Sequence, residues 1–272
     1  DWSGDVGVPR EASHAPQASH PADAPRTAPW GVLDGDDVEA AAVSLLGCLL
    51  RRTVDGRVLV ARIIETEAYD EKDPASHAFR GLTRRNRALF GPAGRAYVYV
   101  SYGIHRCLNI TAGPDGFGAG ALVRAVEPLE GLDVMESRRG RSGRDLTNGP
   151  GRLCQALDIG MDLYGHDLRL PPLELLPGAL RPGERVLGTP RIGISRATDV
   201  PRRFVIDGNP WLSHASRDIL KSARPVVPPA AGSVADAPAQ GMSSRRRKRS
   251  TMTEIGIRRV YDPPQDSDGW RV

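Results

Sequence analysis

Cysteine is scarce. The 272 residues hold three, Cys48, Cys107 and Cys154, odd in number, widely spaced and set in apolar runs. That pattern excludes a disulfide framework and a CxxC metal site, and reads as buried thiols in a reducing compartment. No stretch approaches the ~18 consecutive apolar residues of a membrane span, and the N-terminus has no apolar signal-peptide core. The expectation is a cytoplasmic protein with no membrane partner. Aromatic residues are only 5% of the chain, yet Tyr97, Tyr99 and Tyr102 crowd together.

Aliphatic periodicity is missing at the ends. Residues 1–30 are rich in Ala, Pro, Ser, Asp and His and cannot bury enough apolar surface to order themselves, so they are expected to be a disordered tail. A second such stretch, 223–256, passes through Pro225, Pro228 and Pro229 into Arg245-Arg246-Arg247-Lys248-Arg249 and reads as a disordered basic linker. Between them, 31–222 suffice for one compact domain with a substantial core. The formal charge of +4 and pI near 9.2 fit a surface that meets a polyanion. The wealth of Ala, Gly, Pro and Arg discounts that argument, because a GC-rich coding sequence produces the same bias.

Several elements are legible. Asp37 precedes Val38–Leu46, an N-capped amphipathic helix ending near Gly47. Residues 58–69 are rich in β-branched side chains and predict a strand. A loop with Pro74, His77 and Gly81 follows, then Thr83–Arg87, then a hairpin at Tyr97–Ile110 with Gly103 at its turn. At period two Tyr97, Tyr99 and Ser101 share a face, with Tyr102 on the other. Further strands are expected at 121–127, closed by Pro128, at 191–194 and at 203–206. Helices are expected at 132–139 and after Asn148-Gly149-Pro150-Gly151, whose glycines and Arg152 could seat a phosphate. Strands outnumber helices and turns join them, which predicts an α+β domain on a curved, mainly antiparallel, open barrel-like or roll-like sheet.

Chemistry concentrates on the 58–69 strand. Glu65, Glu67 and Tyr69 fall on one face, and could be a metal site, a general-base site or a solvated edge. His77 is the only nearby histidine and no second His or Cys has ligand spacing, which makes metal the weakest reading. The apolar start of the strand argues that it is central, so its acids need a buried partner, for which Arg124 is the candidate. An aromatic at a hairpin tip, Tyr102, surrounded by Arg84, Arg85, Arg87, Arg95 and Arg106, is placed to enter something that carries phosphates.

Together these stretches resemble a known family. Ile64-Glu65-Thr66-Glu67-Ala68-Tyr69, Ser76-His77, Thr83-Arg84-Arg85-Asn86-Arg87, Tyr97-Val98-Tyr99 with Tyr102-Gly103, Leu122–Gly131, Gly149–Ala156 and Gly208-Asn209-Pro210-Trp211 are similar to the alkyladenine family of 3-methyladenine DNA glycosylases, in the family's order. The resemblance implies an enzyme that flips a damaged purine out of duplex DNA and hydrolyses its glycosidic bond, with 3-methyladenine, 7-methylguanine, hypoxanthine and ethenoadenine as the substrate class. It implies Glu67 as general base with Arg124 holding the water and the carboxylate. Tyr69, His77 and Tyr99 then enclose the base, and Asn109 crowds the 2-amino group of normal guanine. A backbone carbonyl at Ile206 contacts the water. Tyr102 intercalates, and Arg84, Arg85, Arg87 and Arg152 meet the DNA backbone. No lysine occupies the matching pocket positions, so the enzyme is expected to be monofunctional, leaving an abasic site.

The same resemblance implies no cofactor, no metal, damaged double-stranded DNA as partner, a monomer, and a bacterial-type cytoplasmic enzyme associated with the nucleoid when on DNA. Residues 257–272 fall outside it and resemble the truncated start of an unrelated bacterial domain. Two other readings compete: a noncatalytic DNA-damage-binding module using the same hairpin, and a hydrolase of a small substrate using Glu65 and Glu67.

Overall fold

A computed structural model describes residues 29–214 and 221–229. Residues 1–28 of the expected tail, 230–256 of the expected linker and all of 257–272 lie outside the described residues.

A short helix, α1 (Trp30–Leu33), leads to α2 (Val38–Ser44), which opens as its sequence dictates: Asp37 Oδ1 accepts the N–H groups of Glu39 and Ala40, both at 3.0 Å. Strands β1 (Leu49–Val54) and β2 (Arg57–Tyr69) form a hairpin through Asp55-Gly56, both at positive φ, the combination that matches strand twist in a two-residue turn. Strands β3 (Ala96–Ser101), β4 (His105–Thr111) and β5 (Gly120–Glu130) follow, then helices α3 (Leu132–Arg139) and α4 (Pro150–Ala156). The chain closes with β6 (Leu173–Leu176), β7 (Val186–Thr189), β8 (Arg203–Ile206) and β9 (Arg224–Val226).

The strands build a nine-stranded sheet in the order β3-β4-β5-β2-β8-β7-β9, with β1 branching from β2 to β6. Every ladder between these strands is antiparallel and the sheet does not close, so the fold is α+β, as expected. Strand β2 organises it. One edge pairs with β5; the other pairs with β1 over residues 57–62 and with β8 over 65–67. Residues 61–68 of β2 are buried without alternation, the signature of a strand covered on both faces. One apolar cluster, including Ile63, Ile64, Leu108, Val123, Val126, Leu153 and Phe204, joins the sheet to α2 and α4.

Three sequence expectations need correction. Strand β5 runs through Pro128 to Glu130, because β4 pairs only with residues 120–122 and the Ala61–Pro128 step is irregular. There a missing N–H breaks no regular ladder. Residues 191–194 are a loop and not a strand: Pro190 has no N–H to donate and Gly193 turns at φ 76°. The strand lies earlier, at β7. Strand β9, paired with β7, extends the sheet past the expected boundary at residue 222.

Candidate active site

Both carboxylates of β2 are lost to solvent: Glu65 and Glu67 are 0% exposed. Arg124 faces them from β5. The pairing slips by one residue at Glu65 and returns at Thr66, from Ile63–Val126 through Glu65–Ala125 to Thr66–Val123, which leaves Arg124 outside the register. Such irregularities re-aim side chains. Arg124 Nε donates to Glu65 Oε1 and a terminal nitrogen donates to Glu67 Oε2, both at 3.2 Å.

The two acids have different surroundings. Glu65 Oε1 also accepts from Arg203 Nε and from Ser213 Oγ, each at 2.6 Å, and its Oε2 accepts the Ser213 N–H at 2.7 Å. Burial alone would raise its pKa; the charges of Arg203 and Arg124 and the Ser213 hydrogen bonds reverse that and hold it below the usual carboxylate value. Glu65 is a structural anchor, saturated with donors. Glu67 instead lines a cavity of about 480 Å³. Its Oε1 accepts the Ile192 N–H at 2.8 Å and its Oε2 accepts the Tyr69 hydroxyl at 2.8 Å. Burial, followed by the Glu67 charge, pushes the Tyr69 phenol well above its ordinary value, so this hydroxyl stays protonated and donates.

Aromatic side chains wall the cavity. Tyr97 and Tyr99 stack at 5.7 Å between centroids, and the His77 ring stands edge-on to Tyr99 at 4.6 Å. His77 Nδ1 lies 2.9 Å from the Tyr97 hydroxyl. Burial lowers the His77 pKa, which favours the neutral ring at neutral pH. Asn109 lines the same space with its amide nitrogen 3.3 Å from the Tyr97 carbonyl oxygen, a donor–acceptor contact that fixes the side chain. Tyr69, His77, Tyr99, Asn109, Glu67 and Arg124 therefore share one cavity, although they come from β2, the loop after it, β3, β4 and β5.

Ser101 and Tyr102 edge that cavity from the hairpin tip. Tyr102 is 82% exposed and lies at φ 50°, followed by Gly103 at φ 73°, with the Ile104 N–H closing on the Ser101 carbonyl at 3.2 Å. A non-glycine residue in the left-handed region carries strain. It also takes Tyr102 out of the strand, so the alternation that assigned it to the opposite face no longer applies.

The arginines divide. Arg84, Arg85 and Arg87 are exposed on the segment after His77, which Asn86 ties down by donating to the His77 carbonyl at 2.9 Å and the Gly81 carbonyl at 3.0 Å. Arg152 is engaged with Asp145 at 2.8 Å and with Asn148. None of the four lines the cavity.

Ile206 is not brought to the site. It is buried outside the cavity, and its carbonyl accepts the Asn209 N–H at 3.3 Å. A backbone carbonyl does reach Arg124, from Ile192, at 3.3 Å. Sequence reasoning missed it because Arg191-Ile192-Gly193-Ile194 alternates like a strand; Pro190 and Gly193 were the signal for a loop. Arg203, Ser213 and Cys107 were missed too, the last a cavity residue whose thiol is held protonated chiefly by burial. Among the described residues no three His, Cys, Asp or Glu side chains gather as a metal-ligand set, and no helix is long and apolar enough to cross a membrane.

The profile of the methylpurine-DNA glycosylase family matches residues 33–210, which span β1 to β8 and every residue of the cavity. The chain belongs to that family. A protein of Nitrosospira multiformis is 51% identical over 66% of this chain and 93% of its own length. One of Methanoculleus marisnigri is 47% identical over 65% of this chain and 94% of its own, and one of Nocardia farcinica is 44% identical over 65% and 86%. Each of the three is named "putative 3-methyladenine DNA glycosylase". As a methylpurine-DNA glycosylase the chain is a DNA-repair hydrolase of base excision. For such an enzyme, the arrangement offers a carboxylate at an aromatic-walled cavity, with an exposed aromatic at its mouth.

Proposed function

We propose that the chain hydrolyses the N-glycosidic bond of alkylated or deaminated purines, of the 3-methyladenine, 7-methylguanine, hypoxanthine and ethenoadenine class, in double-stranded DNA. The observation that carries this reading is the buried Glu67 carboxylate in a cavity lined by Tyr69, His77 and Tyr99. A base inside the duplex cannot reach such a carboxylate, so the nucleotide is rotated out first, at a cost of a few kcal/mol. Tyr102 fills the gap it leaves. The aromatic faces then stack on the purine, and a neutral His77 adds no repulsion when alkylation has made the base cationic. Asn109 crowds the 2-amino group of undamaged guanine.

Glu67 accepts a proton from a water directed at C1′ and stabilises the oxocarbenium character that develops on the sugar as the bond to the base breaks. Arg124 and the Tyr69 hydroxyl orient the carboxylate, and the Ile192 carbonyl takes the water-contacting role expected of Ile206. Among the described residues the cavity lining contains no lysine to form a Schiff base with C1′. The product is an abasic site on an uncut strand. Arg84, Arg85, Arg87 and Arg152 are the proposed phosphate contacts, with Arg152 exchanging Asp145 for the DNA backbone. The glycosylase domain is assigned to 31–222, extended by β9. It acts as a monomer that is cytoplasmic and nucleoid-associated on DNA.

Tyr102→Ser tests the wedge. At 82% exposure the ring contributes little to the core, so the melting temperature stays within about 1–2 °C, the shift that ~0.5 kcal/mol produces. Affinity for a lesion-bearing duplex falls by roughly 1–3 kcal/mol, the value of one base–aromatic stack. Fluorescence anisotropy with a hypoxanthine duplex measures it.

A further inference from the structure

Behind the Tyr69 plate lies a cation that the proposed mechanism does not use. The Arg191 side chain is 0% exposed. Its terminal nitrogens donate to both Asp73 carboxylate oxygens, one at 3.1 Å, and to the Ala68 carbonyl at 3.1 Å. Its guanidinium carbon stands 4.6 Å from the centroid of the Tyr69 ring. Tyr69 lines the cavity and Arg191 does not, so the guanidinium covers the ring from the side away from a bound base. Arg191 Nε is buried with no hydrogen-bond partner. A buried cation with an unmet N–H costs more than a neutral side chain packed in the same place. The charge therefore asks for a role beyond holding the ring.

Cation–π attraction depends on the negative face of the ring. A guanidinium pressed on one face draws electron density toward itself and leaves less for a second cation on the other. Asp73 balances the charge at a distance, so an entering base meets no long-range repulsion, but the guanidinium is the group in ring contact. Neutral purines stack by dispersion and surface burial, which this polarisation leaves in place. We infer that Arg191 is a specificity-determining residue: by polarising Tyr69 from behind, it shifts the cavity from cationic N-alkylated purines toward neutral lesions. The inference rests on the purine-excising reading proposed above.

The experiment measures kcat/KM at neutral pH on duplexes carrying 7-methylguanine, a cation, or hypoxanthine, a neutral base, for the full chain and two variants. The double variant Arg191→Met, Asp73→Asn removes the charge without stranding the acid. It is expected to raise the 7-methylguanine-to-hypoxanthine ratio by about 3- to 10-fold, the scale of one cation–π contact. An unchanged ratio, with both activities falling together, would make Arg191 a clamp alone and overturn the inference. Tyr69→Leu keeps Arg191 and is independent of whether the double variant folds. With the ring already polarised, its loss lowers both activities by the same factor, within about twofold of each other, because the stacking and the hydroxyl's hydrogen bond to Glu67 are lost for both substrates alike. A selective loss on 7-methylguanine of about fivefold or more contradicts the inference. Failure of the underlying reading has its own signature, no release of either base by the unaltered chain.

Discussion

Glu67→Gln loses base release by about 10²–10⁴-fold, the contribution of a positioned general base, and keeps its affinity for lesion-bearing DNA. The split follows from the surroundings of the side chain. A glutamine fills the same volume and still offers a carbonyl oxygen to the Tyr69 hydroxyl and the Arg124 guanidinium. Its NH₂ faces the Ile192 N–H, so one hydrogen bond of 2.8 Å is lost at a backbone position. That loss is local, and the stacking walls formed by Tyr69, His77 and Tyr99 remain. What disappears is the acceptor for the water's proton and the negative charge opposite the sugar. Single-turnover release of hypoxanthine, with anisotropy on the same duplex, reads the two quantities separately.

Glu65→Ala has the larger effect on the fold. The variant leaves Arg203, 1% exposed, and Arg124 as buried cations with their shared anion removed. Breaking a buried ion pair from one side costs about 3–5 kcal/mol, which for a domain of this size is a fall of roughly 6–20 °C in melting temperature. The pH dependence carries a definite sign. Arg203, Arg124 and Ser213 hold the folded-state pKa of Glu65 below its unfolded value. Its stabilisation is therefore complete above the ordinary glutamate pKa of about 4.3 and lost as pH falls through the lower folded-state value. Thermal melts of the parent steepen their decline below about pH 4, and Glu65→Gln flattens that decline.

These predictions draw unequally on what the sequence displays. Glu65, Glu67 and Tyr69 share a face because strand alternation needs only one strand to be recognised, and β2 announces itself by its β-branched run. Arg124 was legible as a partner because buried acids demand one. The hairpin was legible as well, down to the tyrosine at its turn, since strand alternation interrupted by glycine is a local signal. The β1–β2 hairpin carried an equally local signal in Asp55-Gly56, overlooked because Leu49-Leu50-Arg51-Arg52 does not alternate. The other misses are long-range. Glu65 meets Arg203 and Ser213 across 138 and 148 residues of chain, and no periodicity encodes such a pairing. Ile192 acts through its backbone, which the identity of a side chain cannot reveal, and the alternation of its neighbours imitated a strand.

The central claim is that this cavity breaks one bond, between a damaged purine and its sugar, through Glu67. The most direct measurement incubates the purified chain, with EDTA and no added metal, with duplexes carrying hypoxanthine or ethenoadenine and with methylated DNA, and assays released base and strand integrity separately. The account predicts free base with an intact strand, and loss of release in Glu67→Gln. Tight binding to these duplexes with no base released from any of them would contradict it, and would make the chain a binder of damaged DNA.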